Sequence, residues 1–281
     1  IPDADIRFST TTEDDPGRAM AQDAVDAGCE LILAAGGDGT VRAVAAVVAG
    51  TDSALGILPH GTGNLLARNL GVPLDSTQAA VAHALAAEPR RIDVGTIEIT
   101  DGDDPGEHVF VVMAGLGLDA RMLEETDDEL KAKAGWLAYV KALGAAAAGT
   151  ELVRASLSLD DEPEDRAQLH TLLIGNCGMI QGGITLLPDA APDDGVLDLL
   201  LVSAEGVADW FETVRTLVWD NGLRRLLGGE TMSTDVMRHA SGRRVRVELE
   251  EAQPFQIDGE QHGTVRAFTA AIRPGVLLVR A

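Results

Sequence analysis

The sequence predicts two folded units, an α/β domain built on a parallel sheet and a mostly antiparallel, β-sandwich-like domain. Three observations predict this. Over the first ~90 residues short apolar runs alternate with Ala-rich helical stretches, the pattern of strands joined by helical crossovers. After Pro89 the texture changes to strands separated by polar turns. Two Gly-rich corners, Gly36–Thr40 and Gly56–Asn64, each follow a short apolar strand and open a helix. The boundary is placed at 91/92, giving units 1–91 and 92–281, with the last strand returning to the first unit.

In chain order, Asp5–Thr10 reads as a strand and Gly17–Ala27 as a helix. Cys29–Ala35 (CELILAA) is short and apolar, as expected of a strand covered on both faces. Thr40–Val48 (TVRAVAAVV) is long enough for two helical turns. Strand Ala54–Leu58, helix Asn64–Leu70 and helix Ser76–Ala87 complete the first unit. The second comprises strands Ile92–Thr100, His108–Ala114, Leu152–Leu159, Leu169–Gly175, Val196–Val202, Arg243–Leu249 and Val265–Ile272. Two helical stretches interrupt it, roughly Asp119–Ala148 and Val207–Leu227. The polar linkers Asp101–Glu107 and Asp160–Asp165 read as exposed hairpin loops without chemistry.

Composition narrows the function classes. With 45 Asp and Glu against 22 Lys and Arg, the net charge of -23 argues against a nucleic-acid binder held by phosphate contacts, and an anionic membrane surface repels such a chain. Lysine occurs only at 131, 133 and 141, which suits a GC-rich genome or a salt-adapted source. Cys29 and Cys177 have no partner at metal spacing and read as reduced core residues of a cytoplasmic protein. No apolar run approaches the ~20 residues of a spanning helix, and the first residues lack the pattern of a signal peptide.

The chemistry concentrates in the corners. The glycines at Gly36, Gly37 and Gly39 put a flexible turn where the free N–H groups of a helix N-terminus attract anions, and Thr40 adds a hydroxyl. Asp38 is informative because a carboxylate beside a polyphosphate repels it unless a metal ion intervenes or a hydroxyl donates to it. Nucleotide plus magnesium is one reading; an ordinary Asp-Gly turn feeding a helix is the other, and the five residues alone leave both open. No GxxxxGK[ST] is present. The second corner, 25 residues on, would lie at the same carboxyl edge of the sheet, where open α/β folds bind ligands. Thr62 and Asn64 can cap a helix or hydrogen-bond a base, ribose or phosphate there.

GGDGT followed by GILPHGTGNLLARNLGVP resembles the catalytic domain of diacylglycerol kinases and their bacterial lipid-kinase relatives, a superfamily that also holds sphingosine kinases, NAD kinases and 6-phosphofructokinases. FVVMAGLGLDARM (Phe110–Met122), GNCGMIQGGITLLPDAAPDDGVLDLLLV (Gly175–Val202) and QIDGE (Gln256–Glu260) resemble the later blocks of that family in the same order, so the likeness spans almost the whole chain. It implies that the first unit binds nucleotide, with Gly37, Asp38, Gly39 and Thr40 holding the ATP phosphates. Thr62 would contact the nucleotide, and Thr11, between Thr10 and Thr12, would add another contact. It implies further that Glu260 is the base taking the proton from a lipid hydroxyl; without the resemblance Glu260 reads as an exposed residue after an Asp258-Gly259 turn. Asp194, with the main-chain carbonyls of Ala191 and Val196, matches a magnesium site of the family, a donor set suited to Mg²⁺.

Two departures stand out. The Asn-Pro-x-Ser/Ala-Gly loop with which relatives begin has no match, so an upstream segment carrying it is expected to precede Ile1. Where many bacterial relatives read GTxND, Leu65 follows Asn64, which weakens the carry-over of a metal network centred there. The resemblance implies an ATP- and Mg²⁺-dependent kinase of diacylglycerol or a similar lipid. The alternatives are a sphingoid base or soluble metabolite as acceptor, or a nucleotide- or lipid-binding protein that has lost catalysis. Trp210, Phe211 and Trp219 on an amphipathic stretch followed by arginines are the sequence's candidate for peripheral contact with the inner face of a membrane. A homodimer is an open expectation.

Overall fold

The computed structural model describes residues 5–12, 14–117, 152–181, 185–203 and 237–281. The helical stretches expected at 119–148 and 207–227, with Trp210, Phe211 and Trp219, lie outside the described residues. In chain order the elements are α1 (Arg18–Asp26), β1 (Leu31–Gly36), α2 (Asp38–Val48), β2 (Ala54–Pro59), α3 (Leu65–Leu70), α4 (Thr77–Ala86), β3 (Arg90–Gly102), β4 (Gly106–Phe110), β5 (Met113–Leu116), β6 (Val153–Leu159), β7 (Asp165–Leu169), β8 (Thr171–Gly175), β9 (Leu197–Val202), β10 (Met237–Gly242), β11 (Arg244–Ile257) and β12 (Glu260–Val279).

The helices form for visible reasons. In α2 the buried residues Val41, Val44, Ala45 and Val48 recur at the spacing of one helical face. The Ser76 side chain accepts from Ala79 N–H and caps α4. Residues 5–10, expected as a strand, have no regular structure, and Ile6 and Phe8 are 69% and 93% exposed. The alternation of Ile6 and Phe8 suits a strand, but none of the described strands pairs with it. The single strand expected at His108–Ala114 is two, β4 and β5, separated by a corner at Val111–Val112. Strands β7 and β10 were not anticipated, because DRAQL and RHASG carry too few apolar residues to announce themselves.

The strands make one mixed hydrogen-bonded network. β1 pairs with β2 in parallel, and the end of β12 joins β2 in parallel at Val279 and Leu55. All other pairings between named strands are antiparallel, among them the long ladders of β12 with β3 and with β11.

Two hydrophobic cores result, and β3 and β12 serve both. Ile92 and Val94 of β3 and Leu277 and Val279 of β12 enter the core beneath the N-terminal helices. Ile97, Ile99, Phe268, Ala270 and Ile272 enter the sandwich core. Because strand side chains alternate faces, 92 and 94 of β3 point to the side opposite 97 and 99, and 277 and 279 of β12 to the side opposite 268, 270 and 272, so the two cores lie on opposite faces of this strand pair. Between the two stretches β12 carries an irregularity, from Arg273 to Leu277, that contains Pro274 and Gly275, the latter at φ 60°.

Asp93 fixes that irregularity. It is 2% exposed, its Oδ1 accepts Gly275 N–H at 2.6 Å, and its Oδ2 accepts Gly195 N–H at 2.7 Å. Its own N–H donates to Pro192 carbonyl at 2.7 Å. One carboxylate thus fastens the 191–196 loop to the bulge of β12. Replacing Asp93 with Ala leaves two donors without their partner. At about 1–3 kcal/mol for each unsatisfied buried donor, the expected loss is about 2–6 kcal/mol, read by urea unfolding; a loss under about 1 kcal/mol would remove the fastening role.

Candidate active site

The two Gly-rich corners meet. Gly37 caps α2 without a side chain, and His60 N–H donates to Gly36 carbonyl at 3.0 Å. A Cβ on Gly61 would lie 2.6 Å from Gly37 Cα, so only glycine permits the two backbones to approach this closely. The Asn64 side chain holds the second corner from within: its Oδ1 accepts Gly61 N–H at 2.9 Å and its Nδ2 donates to Gly61 carbonyl at 2.6 Å. Asn64 sits at φ 48°, in the left-handed region that Asn tolerates.

Asp38 locks the corners together. Its Oδ1 accepts Leu65 N–H at 2.5 Å, so a residue of α2 satisfies a free donor at the start of α3. Burial raises the Asp38 carboxyl above its ordinary value, the N–H groups of Leu65 and Asn64 oppose the rise, and the charge of Glu260 adds to it.

The corners form one wall of a cleft of about 600 Å³. Gly37–Thr40 and Gly61–Gly63 stand on one side; Met113–Gly115, Leu173, Ile180, Gln256 and the β11–β12 hairpin stand on the other. Strands β11 and β12 are joined by the two-residue turn Asp258-Gly259, with φ values of 49° and 86° and Ile257 paired to Glu260. Positive φ at both central residues is the type I′ geometry that suits a twisted hairpin.

Asp258 does more than turn the chain. It is 3% exposed, its Oδ2 accepts Val111 N–H at 2.9 Å, and its Oδ1 accepts Val112 and Met113 N–H at 2.9 and 3.0 Å. Its own N–H donates to Met113 carbonyl at 2.8 Å. The sequence shows the turn residue but gives no sign of these partners.

Glu260 follows at the first position of β12, with its side chain 52% exposed at the cleft. Its carboxylate lies over Gly39, where any Cβ would collide with Oε1, and it pairs with Arg42 Nη2. Arg42, on α2 and only 15% exposed, also reaches His262 Nε2 at 3.0 Å. The one visible signal for Arg42 is a cation inside an otherwise apolar Ala/Val helix.

The remaining sequence-derived residues divide. Thr40 and Thr62 line the cleft. Gly36 ends β1 with the Thr40 side chain packed across it. Thr11 is exposed and stands near Gly17, and it does not line the cleft. Asp194, Ala191 and Val196 belong to the separate loop before β9, and none of them lines the cleft. Asp194 Oδ1 accepts Val196 N–H at 3.1 Å. Burial raises the Asp194 carboxyl, and the charges of Asp93 and Asp193 raise it further. The Asp198 carboxyl is pushed up to about 6 by burial, then by Asp194 and Asp189. Arg90 Nη1 reaches Asp193 Oδ2 at 4.0 Å, and the remaining oxygen donors are of the kind that fits a hard divalent cation.

The comparisons agree with this architecture. Residues 3–97 match the family model of the diacylglycerol kinase catalytic domain, and residues 111–281 match that of the YegS C-terminal NAD kinase beta sandwich-like domain. Relatives from Chromohalobacter salexigens (33% identity, 98% of this chain and 84% of the relative) and Pseudomonas syringae pv. tomato (35%, 98% and 83%) carry the name of YegS-like lipid kinases. A Mycobacterium tuberculosis protein named diacylglycerol kinase is 32% identical over 67% of this chain and 60% of its own length. The crystal structure of a diacylglycerol kinase from Bacillus anthracis shares the fold, with a TM-score of 0.67 at 19% identity over 97% of this chain and 83% of that one.

Asp258→Asn places an amide NH₂ against one of the three N–H donors and is expected to cost about 1–3 kcal/mol. Burial pushes the Asp258 carboxyl up to about 6 against the opposing N–H groups and Arg42. With a folded value above the unfolded one near 3.9, this group's stabilisation is full below about pH 4 and is lost as pH rises through about 6. The stability gap between wild type and variant should therefore widen from pH 7.5 to pH 4.5 in urea unfolding; a gap that narrows would contradict the assignment. Taken together, the cleft, the two matched domains and the relatives make the chain a member of the diacylglycerol kinase/YegS family of lipid kinases.

Proposed function

We propose that the chain transfers the γ-phosphoryl group of ATP to the hydroxyl of diacylglycerol or a closely similar lipid, giving a phosphatidic-acid-like product. The observation that carries this reading is the contact between cradle and base: the Glu260 carboxylate lies directly over Gly39, in the first turn of α2. An attacking hydroxyl beside Glu260 would therefore be adjacent to a phosphate seated on the α2 N-terminus. The far wall of the cleft is apolar at Met113, Ala114, Leu173 and Ile180, which suits a lipid acceptor.

In this reading the corners Gly37–Thr40 and Gly61–Gly63 hold the polyphosphate, with Thr40 and Thr62 as hydroxyl donors. The lipid hydroxyl oxygen bonds to the γ-phosphorus while its proton passes to Glu260 and the bond to the β–γ bridging oxygen breaks, releasing ADP. Asp38 acts first as the brace between the corners.

A cation must accompany the nucleotide. Asp38, Asp258 and Glu260 line the cleft, and none of its described lining residues is Lys or Arg. Magnesium bound with the phosphates would supply that charge. Thr11, outside the cleft lining, would reach the nucleotide only at its margin, and the 191–196 loop would hold a second magnesium through Asp194 and the carbonyls of Ala191 and Val196.

Labelled γ-phosphate from ATP, offered with Mg²⁺ to a panel of lipids in mixed micelles, should appear on diacylglycerol; a chain that binds ATP and labels none of the lipids would sink the proposal. Glu260→Gln should lower turnover by about 10²–10⁴-fold and leave ATP binding within a few-fold of wild type. Full activity in that variant would remove Glu260 as the base.

A further inference from the structure

The linker between β3 and β4, which reads as a plain exposed turn in the sequence, brings together three groups that the kinase chemistry does not use. Asp104 comes from the turn, His108 from β4 and His262 from β12. We propose that Asp104, His108 and His262 form a binding site for a transition-metal dication of the zinc class, separate in place from the phosphate cleft and from the 191–196 loop.

The geometry is close to that of a three-ligand site. His262 Nδ1 stands 3.3 Å from Asp104 Oδ2, His108 Nε2 stands 3.8 Å from the same oxygen, and all three ligand atoms lie within 4.8 Å of one another. A tetrahedral ion with bonds of about 2.0–2.1 Å separates its ligands by roughly 3.3–3.4 Å, so closure needs shifts of about 1.5 Å at most. The imidazoles meet edge to face, with centroids 5.1 Å apart, and His262 Nδ1 and His108 Nε2 both face Asp104 Oδ2. Water would take the fourth position.

The site is also held in place. Asp103, beside Asp104, accepts Thr264 N–H at 2.8 Å and the Thr264 hydroxyl at 2.9 Å, fastening the turn to β12 two residues beyond His262. Burial lowers His262, as does the charge of Arg42, which favours the neutral imidazole that ligates metal. Two imidazole nitrogens and one carboxylate prefer zinc-class ions, whereas magnesium prefers all-oxygen sites such as the 191–196 loop.

Occupation would be felt by Arg42. A guanidinium only donates, so His262 Nε2 accepts from Arg42 and the ring proton lies on Nδ1, directed at Asp104. An ion on Nδ1 sends that proton to Nε2, and on His108 the Nε2 proton, which donates to the Asp104 carbonyl at 3.0 Å, passes likewise to Nδ1, with no net release. Nε2 then no longer accepts from Arg42, the residue that also holds Glu260.

Calorimetric titration of Zn²⁺ into the full chain in excess Mg²⁺, which saturates the oxygen sites, tests the proposal. Wild type should bind one equivalent. His108→Ala, His262→Ala and Asp104→Ala should each weaken that binding at least about tenfold, while His83→Ala, a change in α4, should leave it intact. Circular dichroism checks folding, and because Asp104 is 57% exposed on a turn, Asp104→Ala carries the test should His262→Ala fail to fold. Absence of zinc binding in wild type, or unchanged affinity and stoichiometry in folded ligand variants, would overturn the site.

Discussion

The arrangement of the cleft depends on one buried carboxylate. Asp258 accepts three consecutive backbone N–H groups, from Val111 to Met113, at the corner where β4 gives way to β5. Those donors would otherwise be buried without partners, and an isolated carboxylate there would be costly; each satisfies the other. Asp258 stands two residues before Glu260, so the hairpin turn cannot slide without breaking all three bonds. The position of the proposed base is therefore set by a hydrogen-bonding constraint at the floor of the cleft rather than by its own exposed side chain.

Opposite that hairpin, close backbone approach organises the wall. Gly37 and Gly61 touch, Asp38 bridges to Leu65, and Asn64 closes its own turn. Side chains that a reader of the motif would assign to the nucleotide are largely occupied in shaping backbone. This leaves the N–H groups of the corner as the natural anion donors. With Asp38, Asp258 and Glu260 among its lining residues the cleft is acidic, and the proposed polyphosphate would have to bring its own counterion.

Much of this was legible in the sequence, for physical reasons. Local signals found the elements that local forces build: the apolar stripe of α2, the Ser76 cap and the Asp-Gly hairpin pair. Order along the chain, read through the family resemblance, linked the corners to Glu260. What stayed hidden was non-local. Asp258 reaches donors some 145 residues earlier, Arg42 pairs across 218 residues with Glu260, and His262 meets a turn 158 residues away. Polar strands such as β7 and β10 exist because neighbours recruit them, and residues 5–10 show the converse, an alternating pattern without a described partner strand.

The change of face along β12 has a mechanical meaning. This strand begins with Glu260 on one side of the cleft and ends at Val279 beside β2, the strand that leads into the second glycine corner. One jaw of the site thus starts β12, and the strand that carries the other is hydrogen-bonded to the end of β12. The bulge at Pro274–Gly275 is where that strand departs from regular pairing. The grip of Asp93 on Gly275 N–H therefore fixes, at one point, how the hairpin that bears Glu260 is set against the sheet that bears the glycine corners.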